Sequence, residues 1–199
     1  MAYSLEPVSQ DYYPGTTVLV NKLNIRDEAT LNEAGALITY INASKLEYCP
    51  LEGVFDFTHY KAIHHFLFSE LYDWAGQVRK VNISKKATCF CRPERIETQA
   101  QLIFQRLKER DCFKGLSHHD FVDEIVDFYC VTNMLHPFRE GNGRTQRAFL
   151  AQLIRNAGYD INWAEVDGDL LMIATIQAAQ GVTDLLRSVF QESVREGVF

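Results

Sequence analysis

The sequence predicts a mainly α-helical fold, all-α in class, carrying one short β-hairpin. Two observations point there. Apolar residues recur at helical spacing through most of the chain, while β-type alternation is convincing in one stretch alone, QVRKVNISKKATCFC. No internal repeat, low-complexity tract or Gly/Ser-rich linker divides the 199 residues, so one domain is expected.

In chain order, Pro14 and Gly15 mark a turn. Asp27 to Ala43 reads as a helix with Leu31, Ala34, Leu37, Ile38 and Ile41 on one face. Phe57 to Trp74 reads as a second, with Thr58 as N-cap and Ile63, Phe66, Leu67 and Leu71 as its stripe. Gly76 ends it. Val78, Val81 and Ile83 then alternate with polar residues in the hairpin, which Pro93 closes. Ile96 to Lys108 is helical, with Leu102, Ile103 and Leu107 facing the core. Ser117 or Asp120 caps a long helix from about His119 to Met134, whose inner face carries Phe121, Ile125, Phe128, Tyr129 and Thr132. Arg144 to Asn156 follows, closed by Gly158 at C′. Helical patterns fill Trp163 to Ala179 and Thr183 to Arg195.

Composition narrows the function classes. Hydrophobic residues make up 47% and charged residues 23%, ordinary for a globular domain with a real core. A formal net charge of −6 argues against broad affinity for nucleic acid or anionic membrane. The first residues, MAYSLEPVSQDYYPG, lack the basic and apolar regions of a signal peptide, and no stretch approaches the roughly 20 apolar residues of a membrane span. The five cysteines are odd in number and irregularly spaced, which reads as reduced thiols and a cytoplasmic location. Cys89 and Cys91 stand two apart, but a metal reading of the pair lacks partner ligands.

The informative stretch is LHPFREGNGRTQRAFLAQLIRN, Leu135 to Asn156. Gly141 and Gly143 flank Asn142 where a helix begins, so successive N–H groups can converge on an anion at the positive end of the dipole. Neither a Walker loop nor a G-x-G-x-x-G fingerprint is present. Arg144 and Arg147 share one helical face, away from the apolar stripe of Leu150, Leu153, Ile154 and Ala157. Both suit phosphate oxygens. Glu140 is out of place beside phosphates unless a cation such as Mg²⁺ bridges it to them. His136 titrates in the range of a general base. Singly, each has a plainer reading: a capping histidine, a solvated arginine face, a core anchor at Phe138. Their conjunction within twelve residues is hard to obtain as accidental surface.

His136-Pro137-Phe138-Arg139-Glu140-Gly141-Asn142-Gly143-Arg144-Thr145-Gln146-Arg147 resembles the Fic signature, His-x-Phe-x-Asp/Glu-Gly-Asn-Gly-Arg-x-x-Arg, with every fixed position filled. YPGTTVLVNKLNI, FDFTHYKAIHHFLFSELYDWAGQVR and NAGYDINW also resemble Fic domains of the short bacterial toxin type. The resemblance implies one Fic domain over 1–199, with its core at about 50–180, a flap hairpin at about 77–92 and the motif at 136–147. It implies a nucleotidyltransferase that moves AMP from ATP to a hydroxyl of a target protein. In that scheme His136 is the base and Phe138 the anchor, and Glu140 holds Mg²⁺ between the α- and β-phosphates. Gly141, Asn142 and Gly143 form the anion hole, and Arg144 and Arg147 bind the β- and γ-phosphates. Ile83, Ser84, Lys85, Lys86, Ala87, Thr88, Cys89, Phe90 and Cys91 form the flap that aligns the target by strand addition. Lys85–Lys86 departs from the Lys-Gly common in relatives.

Two alternatives remain at this level. One is a silent nucleotide-binding or interaction module. The other is a relative that transfers a different phosphate-containing group, which in the kinase-like case carries lysine where this chain has Gly143. Toxin-type relatives modify type II topoisomerases and are silenced by a helix bearing Ser/Thr-x-x-x-Glu-Gly/Asn, whose glutamate pairs with the arginine equivalent to Arg144. This chain holds only near misses to that pattern, at Ser188–Glu192 and Ser193–Glu196. A small antitoxin partner is therefore expected to supply it.

Overall fold

The computed structural model describes residues 4–5, 11–85 and 88–197. Seven α-helices form the body among them: α1 Glu28–Tyr48, α2 Phe57–Phe68, α3 Pro93–Glu109, α4 His118–Leu135, α5 Asn142–Asn156, α6 Gly168–Ala178 and α7 Asp184–Ser193. Two small antiparallel sheets sit at its margins. One has the order β1 (Ser4–Leu5), β2 (Ile83–Lys85), β3 (Thr88–Cys89); the other pairs β4 (Tyr159–Ile161) with β5 (Val194–Glu196). The fold class is the expected one. The hairpin is present, with Ser84 opposite Cys89 and Lys85 opposite Thr88. Lys86 and Ala87, expected at its tip, lie outside the described residues.

Several boundaries differ for local reasons. The cap of α2 is Asp56, which accepts from the His59 N–H at 2.8 Å; Thr58 is inside the helix. This helix stops at Phe68 instead of running to Trp74, because the next segment turns back through Gly76 at φ +81°. His65 Nδ1 donates to the Ala75 carbonyl at 3.0 Å and holds that turn. Pro93 occupies the start of α3, where its missing N–H is harmless. Val194 and Arg195, expected as helix, belong to strand β5: Arg195 pairs with Asp160 and Val194 with Ile161.

The buried face of α1 matches the predicted one only in part, at Leu31 and the half-buried Ile38. Leu37 is 61% and Ile41 45% exposed, while Leu31, Gly35, Thr39, Asn42 and Leu46 face inward. The reason is polar. Asn42 Nδ2 donates to Glu70 Oε1 at 3.0 Å, and Thr39 receives a hydrogen bond from Arg144. In α3, similarly, Leu102 is exposed and Ile96, Ala100, Phe104 and Leu107 are buried.

The core centres on α2, α4 and α5. The Phe138 ring is fully buried, stacked on Tyr60 at 5.8 Å and on His64 at 3.8 Å between centroids. Tyr60 in turn packs on Phe149 at 5.2 Å. Each such side chain contributes about 2–3 kcal/mol of burial, so the loop between α4 and α5 is pinned from below.

Candidate active site

α4 ends at His136, which takes the left-handed conformation (φ 44°, ψ 58°) seldom adopted outside glycine. The loop that follows is cross-braced by its own residues. Asn142 accepts the Phe138 N–H through Oδ1 and donates to the Phe138 carbonyl through Nδ2, both at 2.8 Å. Gly141 has φ +79°, and a Cβ there would overlap the Phe68 ring. α5 then begins with no side chain capping it. Its first-turn N–H groups are thus presented at the positive end of the helix.

His136 is 6% exposed, and its ring lies flat against Phe90 of the hairpin. Nδ1–H donates to the Asn133 carbonyl at 3.1 Å, which makes Nε2 the basic nitrogen. Burial first, then the charges of Arg79 and Lys85, push its pKa down to about 3 against the pull of the Asn133 bond. The imidazole is therefore neutral at pH 7.

A cleft of about 600 Å³ opens here. It is lined by His136, Gly143, Arg147, Lys85, Thr88 and Phe90 and, from α6, by the apolar Leu171, Met172 and Ile176. Gly143 is exposed to it, and a Cβ there would meet only Arg147 Nη1, at 3.5 Å. Arg147 lies in surroundings that hold its pKa below the usual value, through burial.

Glu140 and Arg144 stand to one side. Glu140 Oε1 accepts from the Gly141 N–H at 2.8 Å and from Arg144 Nη2 at 3.2 Å. Arg144 Nη1 donates to Thr39 Oγ1 at 3.0 Å and to the Gly35 carbonyl at 3.3 Å, and its guanidinium lies over the Phe68 ring. The motif thus divides into three groups. His136, Gly143 and Arg147 border the cleft, Phe138, Gly141 and Asn142 form the buried brace, and Glu140 with Arg144 faces α1.

Ser84, Lys85, Thr88 and Cys89 lie on the hairpin strands, Ile83 is buried beneath them, and Cys91 falls just past β3. No cluster of three or more His, Cys, Asp or Glu suited to a metal occurs among the described residues, and the five cysteines are unpaired. A cation that takes one carboxylate and completes its shell with phosphate oxygens and water fits Glu140, the motif's sole carboxylate.

Two positioning residues escaped the sequence-based expectations. His64 accepts the Gly76 N–H at Nδ1 (2.8 Å) and donates from Nε2 to the Glu140 carbonyl (3.0 Å). Burial holds it neutral, with its pKa down to about 3. Arg79 donates to the His136 carbonyl at 2.8 Å. Both partners are backbone atoms distant in sequence, and no residue pattern signals them.

Residues 54–154 match the Fic/DOC family. "Probable protein adenylyltransferase Fic" of Salmonella typhimurium is 37% identical over 184 residues, covering 92% of this chain and 91% of that one. "Protein adenylyltransferase VbhT" of Bartonella schoenbuchensis is 37% identical over 190 residues, 94% of this chain but 40% of that longer protein. Among solved structures, the BepC protein of Bartonella tribocorum with bound AMPPNP superposes with a TM-score of 0.88 at 25% identity, over 94% of this chain and 97% of that one. The matched span takes in the hairpin, the brace and the cleft-lining motif together, and on that sequence and structural likeness this chain belongs to the Fic/DOC family.

Proposed function

We propose that this chain is a protein adenylyltransferase, moving AMP from ATP to a hydroxyl side chain of a target protein. One observation carries the reading: a neutral imidazole, an uncapped helix N-terminus and Arg147 border the same cleft. Relatives named protein adenylyltransferases, and a related fold solved with AMPPNP, support it.

In this scheme the apolar α6 side of the cleft takes the adenosine. The phosphates lie against the first turn of α5, where N–H donors and Arg147 neutralise them. The target segment adds to the flap hairpin, which brings its hydroxyl over His136. The hydroxyl oxygen attacks the α-phosphorus in line, its proton passes to Nε2, and the bond to the bridging oxygen breaks. Pyrophosphate leaves. Arg144 reaches the outer phosphates by exchanging its bonds to Thr39 and Gly35 for phosphate oxygens. Glu140 would hold Mg²⁺, which when bound would neutralise phosphate charge. The chain's own residues bind, orient and remove the proton.

Regulation by a partner belongs to the same proposal. An inhibitory glutamate must reach Arg144, at the start of α5. The C-terminal near misses sit elsewhere: Ser188 and Glu192 lie on α7, and Glu196 pairs with Tyr159 beyond the far end of α5. Along α5, Arg144 and Asn156 are about 18 Å apart at 1.5 Å per residue. A trans-acting antitoxin helix that brings a glutamate to Arg144 accounts for control, and the chain is then the toxin of a pair. The unpaired thiols fit action in the bacterial cytoplasm, and type II topoisomerase subunits are the first targets to test.

The test is incubation with ATP labelled at the α- or the γ-phosphate. Protein-bound label from the α-position alone is expected. Label from the γ-position alone would make the chain a phosphotransferase, and no label from either would make it a silent nucleotide-binding module.

A further inference from the structure

Between α2 and the flap lies a buried cation with no carboxylate at ion-pair distance among the described residues, Glu94 acting on it only from farther off. Arg79 is 4% exposed, and none of the ion pairs found among the described residues includes it. Among the described residues its guanidinium donates to backbone carbonyls alone: Nε to His136 at 2.8 Å, Nη1 to Val81 at 2.7 Å and Nη2 to Cys91 at 2.5 Å. Its backbone N–H donates to the Pro137 carbonyl at 2.9 Å. Burial lowers its pKa to about 10, so it stays charged at neutral pH.

Burying an unpaired charge is unfavourable, and apolar side chains would stabilise the site as well. What apolar side chains cannot do is fix carbonyls in space. The four that Arg79 holds are not scattered. His136 takes the left-handed turn that aims the imidazole, with Pro137 directly after it, a conformation that persists only where its surroundings over-determine it. Val81 and Cys91 are the two roots of the hairpin, two residues before β2 and two after β3.

We infer that Arg79 is a positioning residue for AMP transfer: it locks the backbone of the base and both roots of the target-aligning hairpin into one rigid unit. This rests on the adenylyltransferase reading. A docked hydroxyl must meet Nε2 at hydrogen-bond distance, and a misplacement of about 1 Å loses roughly 100-fold in rate.

Among the described residues, the charged groups around His136 include Arg79 from the α2–β2 segment, Lys85 from β2 and Arg147 from α5, with the Asn133 carbonyl of α4 on Nδ1. Removing the Arg79 charge alone leaves Lys85 and Arg147 in place. The imidazole then becomes more basic, and the acid limb of the pH–rate profile moves to higher pH.

The test compares the full chain with Arg79→Gln, which loses the charge but keeps N–H donors, and Arg79→Lys, which keeps the charge. Single-turnover transfer from α-labelled ATP to the proteins of one bacterial lysate is read beside ATP binding and the His136 ring resonances by NMR. Arg79→Gln should transfer roughly 100-fold more slowly, bind ATP within about threefold of the parent and show the shifted acid limb and displaced His136 resonances. Arg79→Lys should regain at least about tenfold of the rate and restore both limb and resonances. The inference is overturned if Arg79→Gln keeps the parent's rate, loses ATP binding as steeply as rate, or leaves the acid limb and resonances unmoved. If the parent itself transfers nothing, the reaction is misassigned. The NMR comparison still decides, without turnover, whether Arg79 positions His136.

Discussion

Phe90 lies flat on His136, with ring centroids 3.7 Å apart and planes 11° from parallel. A residue of the hairpin thereby supplies part of the dry environment that depresses the imidazole's basicity, since burial is the largest cause of that shift. Phe90→Ala should raise the His136 pKa from about 3 toward the ordinary value, measured by NMR titration of the ring. An unmoved titration would mean that α4 and its loop bury the imidazole without help from the flap.

A second prediction concerns acid stability. His64 and His136 both titrate near 3 in the fold and near 6.5 in an unfolded chain. Between those values the unfolded chain holds more protons, so stability is complete above about pH 6.5 and falls as pH drops toward 3. From pH 7 to pH 5 each ring should remove about 2 kcal/mol. Urea unfolding of His64→Gln should therefore lose about 2 kcal/mol less than the parent over that range. Parallel losses in both chains would show that His64 is not buried neutral.

The two motif glycines should part company. Gly141→Ala forces a side chain into a left-handed position and onto Phe68, and should destabilise by about 3 kcal/mol or more. Gly143→Ala meets no such obstacle and should leave the melting temperature nearly unchanged. Its methyl group faces the cleft, so ATP affinity should fall instead. Equal melting temperatures for the two variants would contradict the geometry of the loop.

Glu140→Ala removes the motif's one carboxylate. The Mg²⁺ concentration that supports half-maximal transfer should rise several-fold, read from a metal titration at fixed ATP. A superimposable titration would assign the metal to other ligands.

The helices and the motif loop were legible in the sequence because their signals are local. Ser117 as a cap, Gly158 as a stop and the two glycines at the start of α5 each act within a few residues. What escaped notice depends on remote or polar partners. The inward face of α1 follows Arg144, which claims Thr39 and Gly35 from over a hundred residues away, and so the apolar stripe of Leu37 and Ile41 misled. Strands β1, β4 and β5 have two or three residues each, too few for an alternating pattern. Arg79 and His64 look like surface residues until the carbonyls they hold are in place.

The account turns on His136 as the base. The direct measurement is single-turnover transfer from α-labelled ATP by His136→Ala, with ATP binding measured on the same preparation. Transfer should fall by at least about 100-fold while ATP affinity stays within a few-fold of the parent. Transfer within about tenfold of the parent, with binding intact, would contradict the assignment.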